Sequence, residues 1–224
     1  MFETNTVRNA EAAPTKTKWG DREQRRADIL GAARERIADA GYLACSMRDI
    51  AGAAGVSPAT LYSYFKTKEE LFATLYAEAI RAHTESLRPI VAGEHDLETL
   101  LALVIEEYLG LYRNFGRHFT LWSAMRHDVN ADDAPFPKEL IVELRDATIQ
   151  NNRLLMDGIR AAARRSDRHI ADARLVPSFL WCSLNGLADH FTSERRSLDP
   201  FPAERLVEFA AARLAVAITD PGAS

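Results

Sequence analysis

Between Ser46 and Glu70 the chain reads SMRDIAGAAGVSPATLYSYFKTKEE, and this stretch holds three helix starts and one tight turn. Nothing else in the sequence limits the fold as much. Ser46 with Asp49 three residues on is a capping box, in which the hydroxyl takes an orphan backbone N–H at the helix start and the carboxylate reaches back. A helix therefore begins at Met47. Ser57 followed by Pro58 is a second start, because proline lacks the donor that the first turn leaves unused and its fixed φ suits that position. Thr67 with Glu70 is a third. Gly55, between the first two, can take the positive φ that closes a helix and reverses the chain within a few residues. Two helices this short and this tightly joined must cross steeply.

At 100° per residue the faces of the helix after Ser57 can be assigned one by one. Leu61 and Phe65 fall together and should pack on Ile50, Ala51 and Val56. Ala59 and Ser63 point away, Thr60 and Tyr62 occupy the flanks, and Tyr64 lies nearer the core. An outer face that is small in the middle and hydroxylated at the rim can approach a nucleic-acid groove closely, with hydroxyls free to bond phosphates.

From about Arg22 to Phe72 the chain resembles the DNA-binding domain of the TetR family of bacterial transcriptional repressors. The residues that carry the resemblance are ILGAARERIADAGY and SMRDIAGAAGVSPATLYSYFKTKEELF, about a quarter of the chain. The resemblance implies an all-α protein: a three-helix headpiece with a helix-turn-helix, an antiparallel helical regulatory and dimerisation domain, a homodimer, and release from double-stranded operator DNA when a small-molecule effector binds. It implies that Thr60 and Tyr62 contact DNA from the recognition helix, that Lys68 holds a phosphate, and that Arg48 reaches phosphate or a base edge. Ser46 and Ser57 are caps first, with phosphate contact as a second use of the same groups. Tyr64 is a candidate both for the core and for contact. Ala59 and Ser63 stand where family members vary, and neither makes the bidentate contacts of Arg to guanine or Asn to adenine. Base readout is then expected to lean on thymine methyls, on Arg48 and on DNA shape.

Charge is a mild counter-argument, since the chain carries a formal −4 with a pI near 5.9 and isolated DNA-binding modules are often basic. Its distribution is uneven. The first seventy residues hold 11 Lys and Arg against 10 Asp and Glu, so the remainder carries −5. Lys16, Lys18, Arg22, Arg25 and Arg26 cluster at the front, where a disordered basic arm over residues 1–20 could reach neighbouring phosphates. With 224 residues, 47% hydrophobic and 27% charged, the composition is that of a globular protein. No apolar run approaches a membrane span and the N-terminus lacks a signal-peptide core, so the chain reads as cytoplasmic. Cys45 and Cys182 lack metal or redox spacing and read as free thiols.

After a headpiece over 21–72, a regulatory domain over 73–224 is expected to be helical throughout. A linking helix should run to about Ser86, broken by Pro89 and the Gly93 to Asp96 region. Apolar spacing of three and four resumes from Leu97 to Tyr112, with a shorter helix over Arg117 to Met125. Residues 127–137 read as a loop, and further helices follow over Lys138 to Arg165, Leu175 to Ser193 and Ala203 to Ile218. No strand alternation is evident. Leu206, Phe209, Ala210, Arg213, Leu214, Ala217 and Ile218, together with Leu184, Leu187 and Ala188, form stripes suited to a dimer. Two copies of so small a headpiece would read half-sites about 34–36 Å apart.

The family resemblance, rather than any motif, implies an effector pocket. Inward-facing candidates are Tyr108, Tyr112, Trp122, Arg126, Asn152, Trp181 and Asn185, with Met125, Met156 and Phe191 beside them. Aromatics with a few polar groups suit a mostly apolar ligand. The six histidines lack metal-ligand spacing, and there is no phosphate loop, nucleophile elbow or acid pair, so neither catalysis nor a cofactor is expected. The alternative function is a helical protein-interaction module that has lost DNA binding, which Thr60, Tyr62 and Lys68 disfavour.

Overall fold

In the computed structural model, which describes residues 22–125 and 137–221, each of the three caps is made. Ser46 Oγ accepts from the Asp49 N–H at 3.2 Å while Asp49 Oδ2 accepts from Ser46 Oγ at 2.6 Å and from the Ser46 N–H at 2.9 Å, and these last two bonds hold the Asp49 carboxyl below its ordinary range. Ser57 Oγ accepts from the Thr60 N–H at 3.0 Å. Thr67 Oγ1 accepts from the Glu70 N–H at 3.0 Å, and the Glu70 carboxylate takes the N–H of Lys66 at 2.8 Å. The turn also closes as the sequence predicts. Gly55 has φ +64°, and the N–H groups of Gly55 and Val56 return to the carbonyls of Gly52 and Ala51, a paired C-terminal cap.

The elements in chain order are α1 (Arg22–Ala44), α2 (Met47–Ala53), α3 (Pro58–Tyr64), α4 (Lys68–Ala92), α5 (Leu97–Met125), α6 (Lys138–Arg165), β1 (Arg168–Ile170), α7 (Val176–Thr192), a 3-10 turn (Glu194–Leu198), α8 (Ala203–Ala217) and β2 (Thr219–Pro221). The fold is all-α, with an N-terminal helix-turn-helix unit. Helices of seven residues such as α2 and α3 are too short to persist alone, since isolated helices need roughly 12–15 residues to be even marginal. Tertiary burial holds them. Ile29, Ile50, Leu61, Phe65, Leu71 and Phe72 are each at most 1% exposed and form one cluster, in which a fully buried side chain of this size contributes about 1.5–3 kcal/mol.

α4 leaves that cluster and enters two others. Its Ala73, Tyr76, Ala77 and Ile80 pack on Leu140, Leu144 and Ala147 of α6, and Leu87 joins the large core built from α5, α6, α7 and α8. The first cluster reaches Leu75, three residues past 72. Where α4 meets α6 the backbones come close. A Cβ added at Gly158 would stand 2.7 Å from Val91 Cγ1.

Several expectations need correction. Pro89 does not break α4, which continues to Ala92 before Gly93 caps it; so near the helix end the missing N–H costs one peripheral bond. The segments from Leu97 and from Arg117 are one helix, α5. A two-stranded antiparallel ladder pairs Arg168 with Pro221, His169 with Asp220 and Ile170 with Thr219. Three-residue strands are too short for alternation to register, and only tertiary closure brings them together. The arm over 1–20 and nearly all of the loop over 127–137 lie outside the described residues.

The proposed dimer stripes also divide. Ala210, Leu214 and Ile218 of the α8 region, with Leu184 and Ala188 of α7, are buried within the protomer because α7 and α8 both pack on α5. Phe209 remains 63% exposed, and Val216 and Phe179 are exposed as well.

Two helix-interior glycines give opposite expectations. Gly158→Ala should lose about 1–3 kcal/mol through the clash with Val91. Gly110→Ala, where an added Cβ meets nothing within 4 Å, should gain up to about 1 kcal/mol of helix stability. Chemical denaturation of both variants checks the contrast.

Candidate nucleic-acid interface and regulatory clefts

The first face to consider is the outer side of α2 and α3. Arg48, Ala59, Tyr62 and Ser63 are exposed, while Thr60, Tyr64 and Lys68 are half-buried. Ser46, Arg48, Tyr62 and Lys68 meet around one shallow cleft of about 410 Å³, although they come from three different elements and their intervening turns. Thr60 Oγ1 lies 2.8 Å from Ser57 Oγ, and Ser63 Oγ donates to the Thr60 carbonyl at 2.6 Å, so these hydroxyls are held close to the helix. The face therefore presents one guanidinium, one ammonium, a phenol and small side chains. That combination suits phosphate contact and close approach to a groove.

Lys68 is positioned by a residue the sequence reading passed over. Its Nζ sits 4.2 Å above the centroid of the Tyr42 ring, a cation–π contact, and Tyr42 donates from its hydroxyl to Glu69 Oε1 at 3.4 Å. Burial, reinforced by Glu69, pushes the Tyr42 hydroxyl up to about 12, so it stays a donor at neutral pH. Tyr42 stands within the AGY of the sequence match, and that was its one available signal. Arg22 and Arg26 are not part of a free arm: their guanidinium carbons lie 5.8 Å and 5.3 Å from the rings of Tyr64 and Phe65. The Tyr64 ring thus faces α1 as well as the core. Leu43, 76% exposed at the cleft rim, was also missed.

The effector candidates separate into three groups. Tyr108, Tyr112 and Asn185 are brought together: the two tyrosine rings are 6.2 Å apart, and Asn185 hydrogen-bonds the Tyr108 side chain as well as donating to the Trp181 carbonyl at 2.7 Å. Burial and then Tyr112 raise the Tyr108 hydroxyl well above its ordinary range. Asn152 is half-buried on α6, where its neighbour Asn151 makes the contact to α4, accepting from Thr84 Oγ1 at 3.1 Å. Trp181 needs correction, because it is 40% exposed. Leu180, Leu184 and Asn185 take the inward face of α7, and Trp181 stands beside that face rather than on it. Arg126 and the side chains of Trp122 and Met125 lie outside the described residues.

Two clefts are lined by other residues. One of about 520 Å³ opens between α1, α4 and α5, and a second of about 530 Å³ between α5, α7 and α8. Neither is lined by Tyr108, Tyr112, Asn152 or Asn185. In the first, His83 Nδ1 is buried without a hydrogen-bond partner among the described residues, 3.8 Å from Glu107 Oε1. Burial lowers the His83 pKa from its ordinary 6.5 against the opposing pull of Glu107.

Comparison with known proteins now bears on these surfaces. Residues 29–75 match the model for bacterial regulatory proteins of the tetR family. The HTH-type transcriptional repressor KstR2 of Rhodococcus jostii is 30% identical over 161 residues, covering 70% of this chain and 74% of that one. The chain belongs to the TetR family. Its members are transcriptional regulators, not enzymes. A second TetR-family relative, the fatty acid metabolism regulator protein of Bacillus subtilis, is 35% identical over 83 residues, which is 37% of this chain but only 43% of that protein. The fold is shared with the regulator FadR of Bacillus subtilis, solved in complex with stearoyl-CoA, at a TM-score of 0.58 and 21% identity over 86% of this chain and 98% of that one. The TetR-family match ends at residue 75, inside α4, so it covers the reader's whole hydrophobic cluster.

His83 gives a pH expectation for this TetR-family chain. A histidine whose pKa is lower folded than unfolded binds fewer protons in the native state, so its contribution is complete above about 6.5 and is lost as pH falls below that value. Thermal melts between pH 7.5 and pH 5 should therefore show a steeper acid loss for the wild type than for His83→Gln.

Proposed function

We propose that the chain is a ligand-responsive transcriptional repressor that binds a double-stranded operator as a homodimer. The observation that carries this reading is the joint placement of Ser46, Arg48, Tyr62 and Lys68 around one cleft, beside an α3 face of Ala59, Thr60 and Ser63. Arg48 and Lys68 supply phosphate attraction, which dominates affinity and makes it depend on salt. Ser46 and Ser57, already used as caps, offer hydroxyls to phosphates, and Tyr64 serves α1 and the core more than DNA. Base selection falls to Arg48, to apolar contact with thymine methyls and to DNA shape.

The regulatory part of the reading rests on α4, which is continuous from the reader's cluster to the large core. A small molecule bound among the regulatory helices and preferring one setting of α4 would change the separation of two readers, and operator affinity with it. Tyr108, Tyr112 and Asn185 form the polar-aromatic group best placed to sense such a ligand; Asn152, Trp122 and Arg126 are further candidates on or near the same helices. A relative concerned with fatty acid metabolism and a structural neighbour holding stearoyl-CoA make acyl-CoA the first effector class to test. For the dimer, the exposed Phe179, Phe209 and Val216 supply apolar surface of the kind subunit interfaces bury. The alternative of a protein-interaction module without DNA binding gains no specific support from the structure.

Three outcomes are expected. Footprinting on genomic fragments should find a palindromic site whose occupancy falls when stearoyl-CoA is added; no salt-sensitive DNA binding at all would sink the reading. Lys68→Ala should weaken specific and non-specific DNA alike and reduce the slope of log affinity against log salt by about one. Phe209→Asp should shift light scattering from dimer toward monomer, whereas an unchanged dimer would place the interface elsewhere.

A further inference from the structure

The cleft between α1, α4 and α5 is unlike the polar-aromatic group of the regulatory helices. Its floor is apolar, with Ile37 from α1, Ala79 from α4 and Leu111 from α5. Among the described residues its charges are mostly negative: Glu35, Glu78 and Glu107 line it together with one guanidinium, that of Arg34. That guanidinium is already engaged, since Arg34 Nη2 pairs with Glu78 Oε2 at 3.0 Å across α1 and α4. Glu107 is left facing His83, which is only 7% exposed.

His83 and Glu107 do not satisfy each other. The 3.8 Å between Nδ1 and Oε1 is beyond hydrogen-bond range, and Nδ1 has no other partner among the described residues. Burial disfavours the charged imidazolium, so the ring does not neutralise the carboxylate at neutral pH. Neither tautomer satisfies both atoms: with the ring proton on Nε2 two acceptors face each other, and with it on Nδ1 the donor stops 3.8 Å short of the carboxylate. A buried acceptor in that state is costly, and a cationic N–H donor placed between them would satisfy both.

A second feature marks the same cleft. Gly110 lines it from the interior of α5, where glycine costs up to about 1 kcal/mol of helix stability relative to alanine, and the space a Cβ would take is open. At about 520 Å³ the cleft falls within the range of small-molecule sites, roughly 300–1,000 Å³.

We infer that this cleft is a binding site for a small organic cation with an apolar body, an alkyl- or arylamine, whose ammonium donates to Glu107 and His83 while its hydrocarbon part lies along the wall opened by Gly110. Such a molecule would stand directly between the reader's first helix and the two helices behind it. The site differs from the acyl-CoA reading in position and in charge preference.

Titration calorimetry on the full chain without DNA tests it, using decylammonium below its micelle concentration, with decanoate as the chain-matched anion. This readout does not depend on operator binding, so a failure here and a failure of the repressor reading are separable. Decylammonium should bind one site per protomer, and decanoate should bind at least about tenfold more weakly. Glu107→Gln, at a partly exposed position, and Gly110→Leu, which fills the wall while improving helix propensity, should each weaken decylammonium by about tenfold or more. Circular dichroism and melting temperature confirm that both variants fold. Equal binding of decanoate, or decylammonium affinity unchanged in both folded variants, would overturn the inference.

Discussion

Everything in this molecule is referred to one helix. α4 is 25 residues long, and its buried apolar positions belong to three clusters: Leu71, Phe72 and Leu75 to the reader, Ala73, Tyr76, Ala77 and Ile80 to the seam with α6, and Leu87 to the large core. A helix of this length has a buried face on nearly every side along its first three turns, which it can keep only while all its neighbours remain packed. Packed interiors deform little and transmit strain, so a shift of α4 in one cluster must be met in the others. The close approach at Gly158 narrows the freedom further, because the short β-branched Val91 side chain packs directly where a Cβ would stand and has little room to absorb a slide of α4 against α6.

The reader solves a different problem. Its two short helices cannot form alone, and its outer surface must stay thin to approach another molecule. Caps and burial divide the work: Ser46, Ser57 and Thr67 satisfy the helix starts locally, and Leu61 and Phe65 fix α3 from beneath. The outward residues are then relieved of structural duty. Arg48, Ala59 and Ser63 are exposed for that reason, and Lys68 is steadied by the Tyr42 ring instead of a carboxylate, which leaves its ammonium available to an anion.

Legibility followed the range of the interactions. Caps, the Gly55 turn and the bounds of α6 depend on residues a few positions apart, and all were read correctly from the string. Pro89 was misread because its effect depends on how much helix follows it, and the β1–β2 ladder was missed because its partners lie about fifty residues apart. Trp181 looked inward by chemistry, yet the orientation of α7 on α5 left it at the surface. In α8, hydrophobicity marked a stripe without saying which part would face its own protomer, and burial of Ala210 and Leu214 answers that.

By itself, then, the sequence determined the three capped helix starts, the Gly55 turn, the split of α3 into a buried and an outward face, and a family-model match over residues 29–75. These are local consequences of backbone hydrogen bonding and helical period. Tertiary structure decided what no spacing contains: that Ser46, Arg48, Tyr62 and Lys68 share one cleft, that Tyr108 meets Asn185, and that His83 faces Glu107 across α4 and α5 without bonding it. Those pairings depend on how helices are rotated and stacked, which is set by the sum of many weak packing contacts rather than by any one residue.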